Sequence, residues 1–143
     1  MTSADNPGND YRLDDQIGYV LRRVTQRHLA IFAGMIPEVT TTQFAVLARL
    51  TETGPLSQNQ LGRATAMDAA TIKGVVDRLA RLGLAATTAD PDDRRRLTVS
   101  ITAAGAALFA ARSQTALEVS QATLDPLNPE ERRILLDLLT RLT

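Results

Sequence analysis

The sequence predicts a mainly α-helical domain carrying one small β-hairpin, and three observations lead there. Apolar residues recur at spacings of three and four through most of the chain, the period of a helix that buries one face. Ser, Thr, Asp or Asn stands before most of these runs and Gly or Pro follows them, which is how helices start and stop. The exception is the stretch 84–101, where two short segments of strand character flank Asp90-Pro91-Asp92-Asp93-Arg94-Arg95-Arg96, a turn signal followed by three consecutive arginines.

Residues 1–10, MTSADNPGND, are rich in Asn, Asp, Gly and Pro and read as a frayed tail, and they lack the basic start and apolar run of a signal peptide. Ile17, Val20, Leu21, Val24, Ile31, Phe32 and Met35 mark one long amphipathic helix over Leu13–Ile36, closed by Pro37. Its apolar face needs a cover, and another helix, from this chain or from a second subunit, is the simplest. Thr41 or Thr42 caps a helix over Thr42–Thr53 that stops at Gly54-Pro55, and Ser57 caps a short one, Gln58–Ala64. After a turn at Thr65–Met67, Asp68 caps a helix over Ala69–Leu82, with Ile72, Val75, Val76, Leu79 and Leu82 on one face and Gly83 as its stop. Strands Leu84–Thr88 and Leu97–Ile101 enclose the arginine tip, which turns between Asp90 and Arg94 because proline cannot donate to a ladder and Asp favours turns. Thr102 caps an alanine-rich helix from Ala103 to about Leu124. Asn128 and Glu131 form a capping box for the last helix, Pro129–Leu142, whose apolar side holds Ile134, Leu135, Leu138, Leu139 and Leu142. The first and last helices offer more apolar surface than the middle of the chain can bury, so they are expected to pack together and across a dimer axis.

Composition narrows the function. The 143 residues, 44 % apolar, suit a single domain with its own core, and no apolar run approaches a membrane span, so a soluble cytoplasmic protein is expected. Without cysteine there is no disulfide, thiolate nucleophile or thiol switch, and a lone histidine, His28, excludes the usual multi-histidine metal sites. No nucleophile elbow, phosphate-cradling glycine loop or paired carboxylate motif appears, so neither an enzyme nor a cofactor is expected. Sixteen basic and sixteen acidic residues give zero formal charge, which argues modestly against nucleic-acid binding unless the charge is unevenly placed. Every basic residue but Lys73 is Arg, the type suited to phosphate and base edges.

Two helices joined by a three- to four-residue turn and followed by a hairpin make a winged helix-turn-helix over 42–101, with added helices at 11–36 and 103–143 for dimerisation. In the second of the paired helices Ala69, Ala70, Thr71, Lys73 and Gly74 face outward, small or polar residues that let a backbone approach a groove. The alternative for Gly74 is tight helix packing. Thr71, Lys73 and Arg78 are candidate DNA contacts, and Ser57 and Gln58 could hold a phosphate at a helix start. On the hairpin, Arg95 fits a narrow minor groove with Asp93 fixing it through a bidentate pair, while Arg94 and Arg96 lie nearer phosphates. The bland reading is a solvated cluster balanced by Asp90, Asp92 and Asp93, or a winged-helix module that binds protein rather than DNA.

Leu61-Gly62, Thr71-Ile72-Lys73-Gly74-Val75-Val76-Asp77-Arg78-Leu79, Gly83-Leu84, and the Asp90–Arg96 tip followed by Thr102-Ala103-Ala104-Gly105 resemble the MarR family of bacterial transcription regulators, over nearly the whole chain. The resemblance implies a homodimer that binds a palindromic operator, with the recognition helix in the major groove and the wing arginine in the minor groove, usually as a repressor released by a small ligand. The segment Gln16–Phe32 looks like that of members sensing aromatic carboxylates, and so implies effector contacts at Tyr19, Arg22, His28 and Phe32. In that reading Arg22 pairs with the carboxylate and His28 bonds a ring hydroxyl or the acid; in the other, His28 is a core residue with one bonded nitrogen.

Overall fold

The computed structural model describes residues 9–143. The expected tail, 1–10, falls almost wholly outside them. Six helices and a three-stranded antiparallel sheet follow one another as α1 (Ile17–Met35), α2 (Thr41–Thr53), β1 (Leu56–Ser57), α3 (Gln58–Ala64), α4 (Ala69–Arg81), β2 (Ala85–Ala89), β3 (Leu97–Ile101), α5 (Ala103–Thr123) and α6 (Pro129–Thr140). This is the winged helix-turn-helix expected, and four predicted caps are in place. Ser57, Asp68, Thr102 and Asn128 each accept an N–H three residues on, and Ser57 and Asn128 complete capping boxes with Gln60 and Glu131.

Three boundaries shift for local reasons. The first helix starts at Ile17 rather than Leu13, because Gln16 is extended (ψ 132°) and separates it from a 3₁₀ turn over Leu13–Asp15. The second is capped by Thr40, not by Thr41 or Thr42: Thr40 Oγ1 accepts the Gln43 N–H while Gln43 Oε1 accepts the Thr40 N–H, and only Thr40 has a Gln three residues ahead. Leu84 closes α4 through its N–H on the Leu79 carbonyl, so β2 begins one residue later. A further strand, β1, was not expected. Its two residues pair with β3, Leu56 opposite Val99 and Ser57 opposite Thr98, and bind the base of the hairpin to the start of α3.

One core gathers Val46, Leu47 and Leu50 of α2, Leu61 of α3, Ile72, Val76 and Leu79 of α4, Ala85 and Val99. Burial of this apolar surface, at roughly 25 cal/mol per Å², fixes α4 against α2 and the sheet. Gly62 lets α3 and α4 close together: a Cβ there would stand 3.1 Å from the Met67 carbonyl oxygen and 3.2 Å from Ile72 Cγ2. A second core joins the outer helices to this lobe. Phe32 of α1 meets Phe44 of α2 edge-on with centroids 6.0 Å apart, and Phe44 lies 5.3 Å from Phe109 of α5. Arg112 of α5 adds an ion pair to Glu38 in the α1–α2 connection, at 2.5 Å. Arg27 donates to the Ala122 and Thr123 carbonyls and so closes the C-terminus of α5.

The expectation that the first and last helices pack together within the chain is not met. No residue of α6 is buried, Ile134, Leu136, Leu138 and Leu142 are exposed, and so are Ile17, Val20, Leu21 and Val24 on the outer half of α1. An apolar surface of this extent is the mark of an association face.

The threonine and glycine that trail the hairpin acquire a structural reason. Thr102 Oγ1 donates to the Gly83 carbonyl and accepts the Gly105 N–H, and a Cβ on Gly105 would fall 2.1 Å from the Leu84 carbonyl oxygen. Gly105→Ala is therefore expected to lower stability by about 3 kcal/mol through overpacking against backbone, read as a fall in thermal midpoint; an unchanged midpoint would contradict this packing. The Arg112 guanidinium beside Glu38 holds its carboxyl below the ordinary value. A depressed pKa stabilises above the unfolded value and ceases to as pH falls through the folded one. Glu38→Gln should accordingly lower the thermal midpoint at neutral pH while losing less than the parent on acidification, and parallel pH profiles would dismiss the ion pair as a stabilising contact.

Candidate functional site

The hairpin tip is built by its aspartates acting on backbone. The loop closes with the Asp90 N–H on the Arg96 carbonyl, 2.9 Å, and a tight turn follows in which the Arg96 N–H reaches the Asp93 carbonyl, 3.0 Å. Asp90 Oδ1 accepts the Asp92 N–H and Asp93 Oδ1 accepts the Arg95 N–H, so each carboxylate caps its own turn. This corrects the expected pairing: Asp93 positions Arg95 through its amide, and no bidentate pair to the guanidinium forms. It also removes the picture of an internally balanced cluster. Arg94, Arg95 and Arg96 are exposed, and none lies within 4 Å of a carboxylate among the described residues.

Beside the tip, a depression of about 420 Å³ is lined by Ser57–Gln60, Arg63, Asp93, Arg95, Arg96 and Leu97. The β1–β3 pairing creates it by bringing the α3 start to the wing. Ser57 proves to be a cap rather than an open donor: it is 7 % exposed, its N–H donates to Gln60 Oε1 and its Oγ accepts the Gln60 N–H. Gln58 lines the depression, with its side-chain carbonyl buried and unpaired. Arg63 joins this arginine group unforeseen, since only the fold of α3 against the wing carries it there.

On α4 the predicted groove face is open. Ala70, Thr71, Lys73 and Gly74 are exposed, and a Cβ on Gly74 would meet nothing within 4 Å, so the packing explanation for this glycine fails. The Lys73 ammonium lies 2.9 Å from Asp77 on the next turn, an exposed pair that contributes little and yields easily to a phosphate.

Behind α4 a cleft of about 580 Å³ opens between the C-terminal half of α1, the α1–α2 connection, the start of α2 and the end of α4. Leu29, Phe32, Ile36, Val39 and Leu82 give it apolar walls, and Glu38, Thr41 and Arg78 bring polar groups. The size suits a small ligand. Of the expected effector residues only Phe32 lines it. His28 lies one turn earlier, half-buried, its Nδ1 2.8 Å from Thr123 Oγ1. Because that hydroxyl donates to the Val119 carbonyl, His28 Nδ1–H is the donor to it. Arg22 is exposed on the stripe of Leu29, about 10 Å further along α1. Tyr19 is half-buried under the Arg23 guanidinium, 5.9 Å from its ring centre. Arg78, expected among DNA contacts, faces this cleft instead of standing wholly on the groove side.

Residues 38–96 match the profile of the MarR family. Over 143 residues, 99 % of the chain and 90 % of the relative, the sequence is 40 % identical to the HTH-type transcriptional repressor NicR of Pseudomonas putida. A probable transcriptional regulator of Pseudomonas aeruginosa superposes with a TM-score of 0.87 at 55 % identity, over 92 % of this chain and all of that one. BpsR of Bordetella bronchiseptica, whose DNA binding is regulated by 6-hydroxynicotinic acid, superposes with a TM-score of 0.86 at 40 % identity, over 94 % and 97 % of the two chains.

Removing the Arg95 guanidinium while keeping the amide that joins the turn isolates its role. Arg95→Ala is expected to weaken operator binding by about 1 to 3 kcal/mol in a gel-shift titration while leaving the thermal midpoint unchanged. Equal affinity for the two proteins would refute the wing contact.

Proposed function

The chain belongs to the MarR family of DNA-binding transcription regulators, and on that premise we propose that it is a homodimeric, cytoplasmic repressor released from a palindromic operator by a small aromatic acid. The observation that carries the DNA reading is the wing, where Asp90 and Asp93 accept backbone N–H groups and Arg94, Arg95 and Arg96 have no carboxylate within 4 Å among the described residues. Arginine on a thin ribbon is drawn to a narrow minor groove. Gln58, Arg63, Arg94 and Arg96 then supply phosphate contacts, while Ala70, Thr71, Lys73 and Gly74 meet the major groove. The uncovered faces of α1 and α6 form the dimer, whose two-fold axis the operator mirrors.

For the effector, the cleft behind α4 supports the reading by its size and its apolar walls. BpsR responds to 6-hydroxynicotinic acid, and this chain is proposed to take the same chemical class. Phe32 packs on the ring; His28, one turn away, offers Nε2 once Nδ1 is bound to Thr123. A ligand wedged there shifts α4 and changes the spacing of the two recognition helices. It acts only by binding the released state more tightly than the operator-bound one.

The competing reading, a protein-interaction module, draws on the zero net charge. Salt separates the two. Operator affinity should fall steeply and linearly in log–log form with salt, because each phosphate contact releases counterions, and millimolar 6-hydroxynicotinic acid should dissociate the complex. A flat salt dependence would favour the interaction module, and a complex indifferent to aromatic acids would overturn the effector class alone.

A further inference from the structure

We propose that Met67, in the turn between α3 and α4, is an oxidation switch on operator binding: conversion of its thioether to the sulfoxide releases the DNA. The proposal rests on the operator contact read above for Arg63 and adds a second signal, an oxidant of the peroxide class, to the one the aromatic acid carries.

The chain has no cysteine and three methionines, so a thioether is the side chain such an oxidant converts first. Met35 and Met67 are the two among the described residues, both half-buried, and their settings differ. Met35 packs against the core that joins α1 to α2 and α5. Met67 packs against the core of the DNA-binding lobe and also lines a depression of about 170 Å³ between α3 and α4, beside Asn59, Gly62, Arg63 and Ala69. Asn59, Arg63 and Ala69 are exposed, so the depression opens to solvent on the side assigned to the operator.

The turn leaves little slack for a changed side chain. The Met67 N–H donates to the Gly62 carbonyl at 2.8 Å, and a Cβ on Gly62 would stand 3.1 Å from the Met67 carbonyl oxygen. Ala66, just before it, is held at φ 56°, in the left-handed region that is costly for any residue with a Cβ. Such a conformation persists only while its surroundings enforce it, and the apolar seat of Met67 is part of that enclosure.

In the oxidation the sulfur attacks one oxygen of hydrogen peroxide. The S–O bond forms as the O–O bond breaks, sulfur gives up two electrons, and the departing hydroxide takes the proton of the transferred oxygen and leaves as water. An apolar chain then carries a strong acceptor. The sulfoxide no longer favours the core, so the turn that sets the start of α4 loosens. Its oxygen also meets donors, because Asn59 and Arg63 share the depression and Arg63 has no carboxylate within 4 Å among the described residues. A guanidinium bonded to that oxygen is withdrawn from the phosphate.

The test uses the full-length chain and a duplex selected on the reduced protein from a randomised pool. After millimolar hydrogen peroxide, peptide mass spectrometry should find Met67 one oxygen heavier, and affinity for the duplex should fall about ten-fold or more. Methionine sulfoxide reductases A and B together should restore it, and bound duplex should protect Met67 from the oxidant. Met67→Leu, which keeps the volume and cannot be oxidised, should bind before and after peroxide alike, whereas Met35→Leu should respond as the parent does. Within the parent, the fraction of chains oxidised at Met67 should track the loss of binding and the fraction oxidised at Met35 should not, which decides the matter even if Met67→Leu fails to fold. Parent affinity in protein oxidised at Met67, a Met67 that stays reduced while Met35 is oxidised, or an equal loss in Met67→Leu would overturn the switch and leave the operator reading standing. A reduced parent that selects no duplex would overturn both.

Discussion

A central constraint on the fold is the contact of Phe32, Phe44 and Phe109. They are the only phenylalanines in the chain, and each comes from a different helix, α1, α2 and α5. Such aromatic contacts add about 0.5–1.5 kcal/mol per pair beyond area burial, and their edge-on and tilted geometry fixes direction as well as distance. The rings help hold the lobe bearing α3, α4 and the wing to the outer helices, together with the Glu38–Arg112 ion pair and the seats of Thr102 and Gly105 on Gly83 and Leu84. Phe32 also forms a wall of the cleft behind α4, so the proposed effector site and this contact share a residue. Interiors packed at this density move between discrete arrangements rather than yielding smoothly, which is what a two-state regulator needs.

The wing shows a second economy of chemistry. Three arginines beside three aspartates invite the picture of a neutral cluster, yet Asp90 and Asp93 spend their acceptors on backbone amides two residues ahead. The turn is thus held by its own acceptors, and its cations have no carboxylate within 4 Å among the described residues. The zero net charge of the chain conceals this, because the balancing acids lie on other surfaces or in caps such as Asp68 and Glu131. Placement rather than sum decides the affinity of a protein for a polyanion.

Local rules carried most of the fold. Ser57, Asp68, Thr102 and Asn128 are caps because each precedes its helix with a short acceptor, and Thr40 takes the place expected of Thr41 or Thr42 because Gln43 stands three residues ahead to complete the box. The two-residue strand β1 was invisible, since a period of two cannot show in two residues. The candidate site was legible where it depends on the wing and α4, and less so where elements cross. Arg63 reaches the wing through the β1–β3 pairing, Arg78 enters the cleft through the angle between α4 and α1, and Arg27 meets the end of α5 95 residues away in sequence. One bonded nitrogen on His28 was among the expectations, but its partner Thr123 is not legible, because nothing near it in the chain announces that contact. The lack of a cover for α6 belongs to the same class: helical periodicity shows that a face is apolar and is silent on whose chain buries it.

The central claim is that the cleft controls the separation of the two recognition helices. The chain has no cysteine, so Ala80→Cys, on the exposed side of α4, gives one spin label per subunit and a distance between them by double electron–electron resonance. With operator bound the label separation should sharpen to a single population consistent with recognition helices one helical turn of DNA apart, about 34 Å. With the aromatic acid it should move to a different, distinct population as the operator is lost. Release of the operator with an unaltered distance distribution would contradict the account.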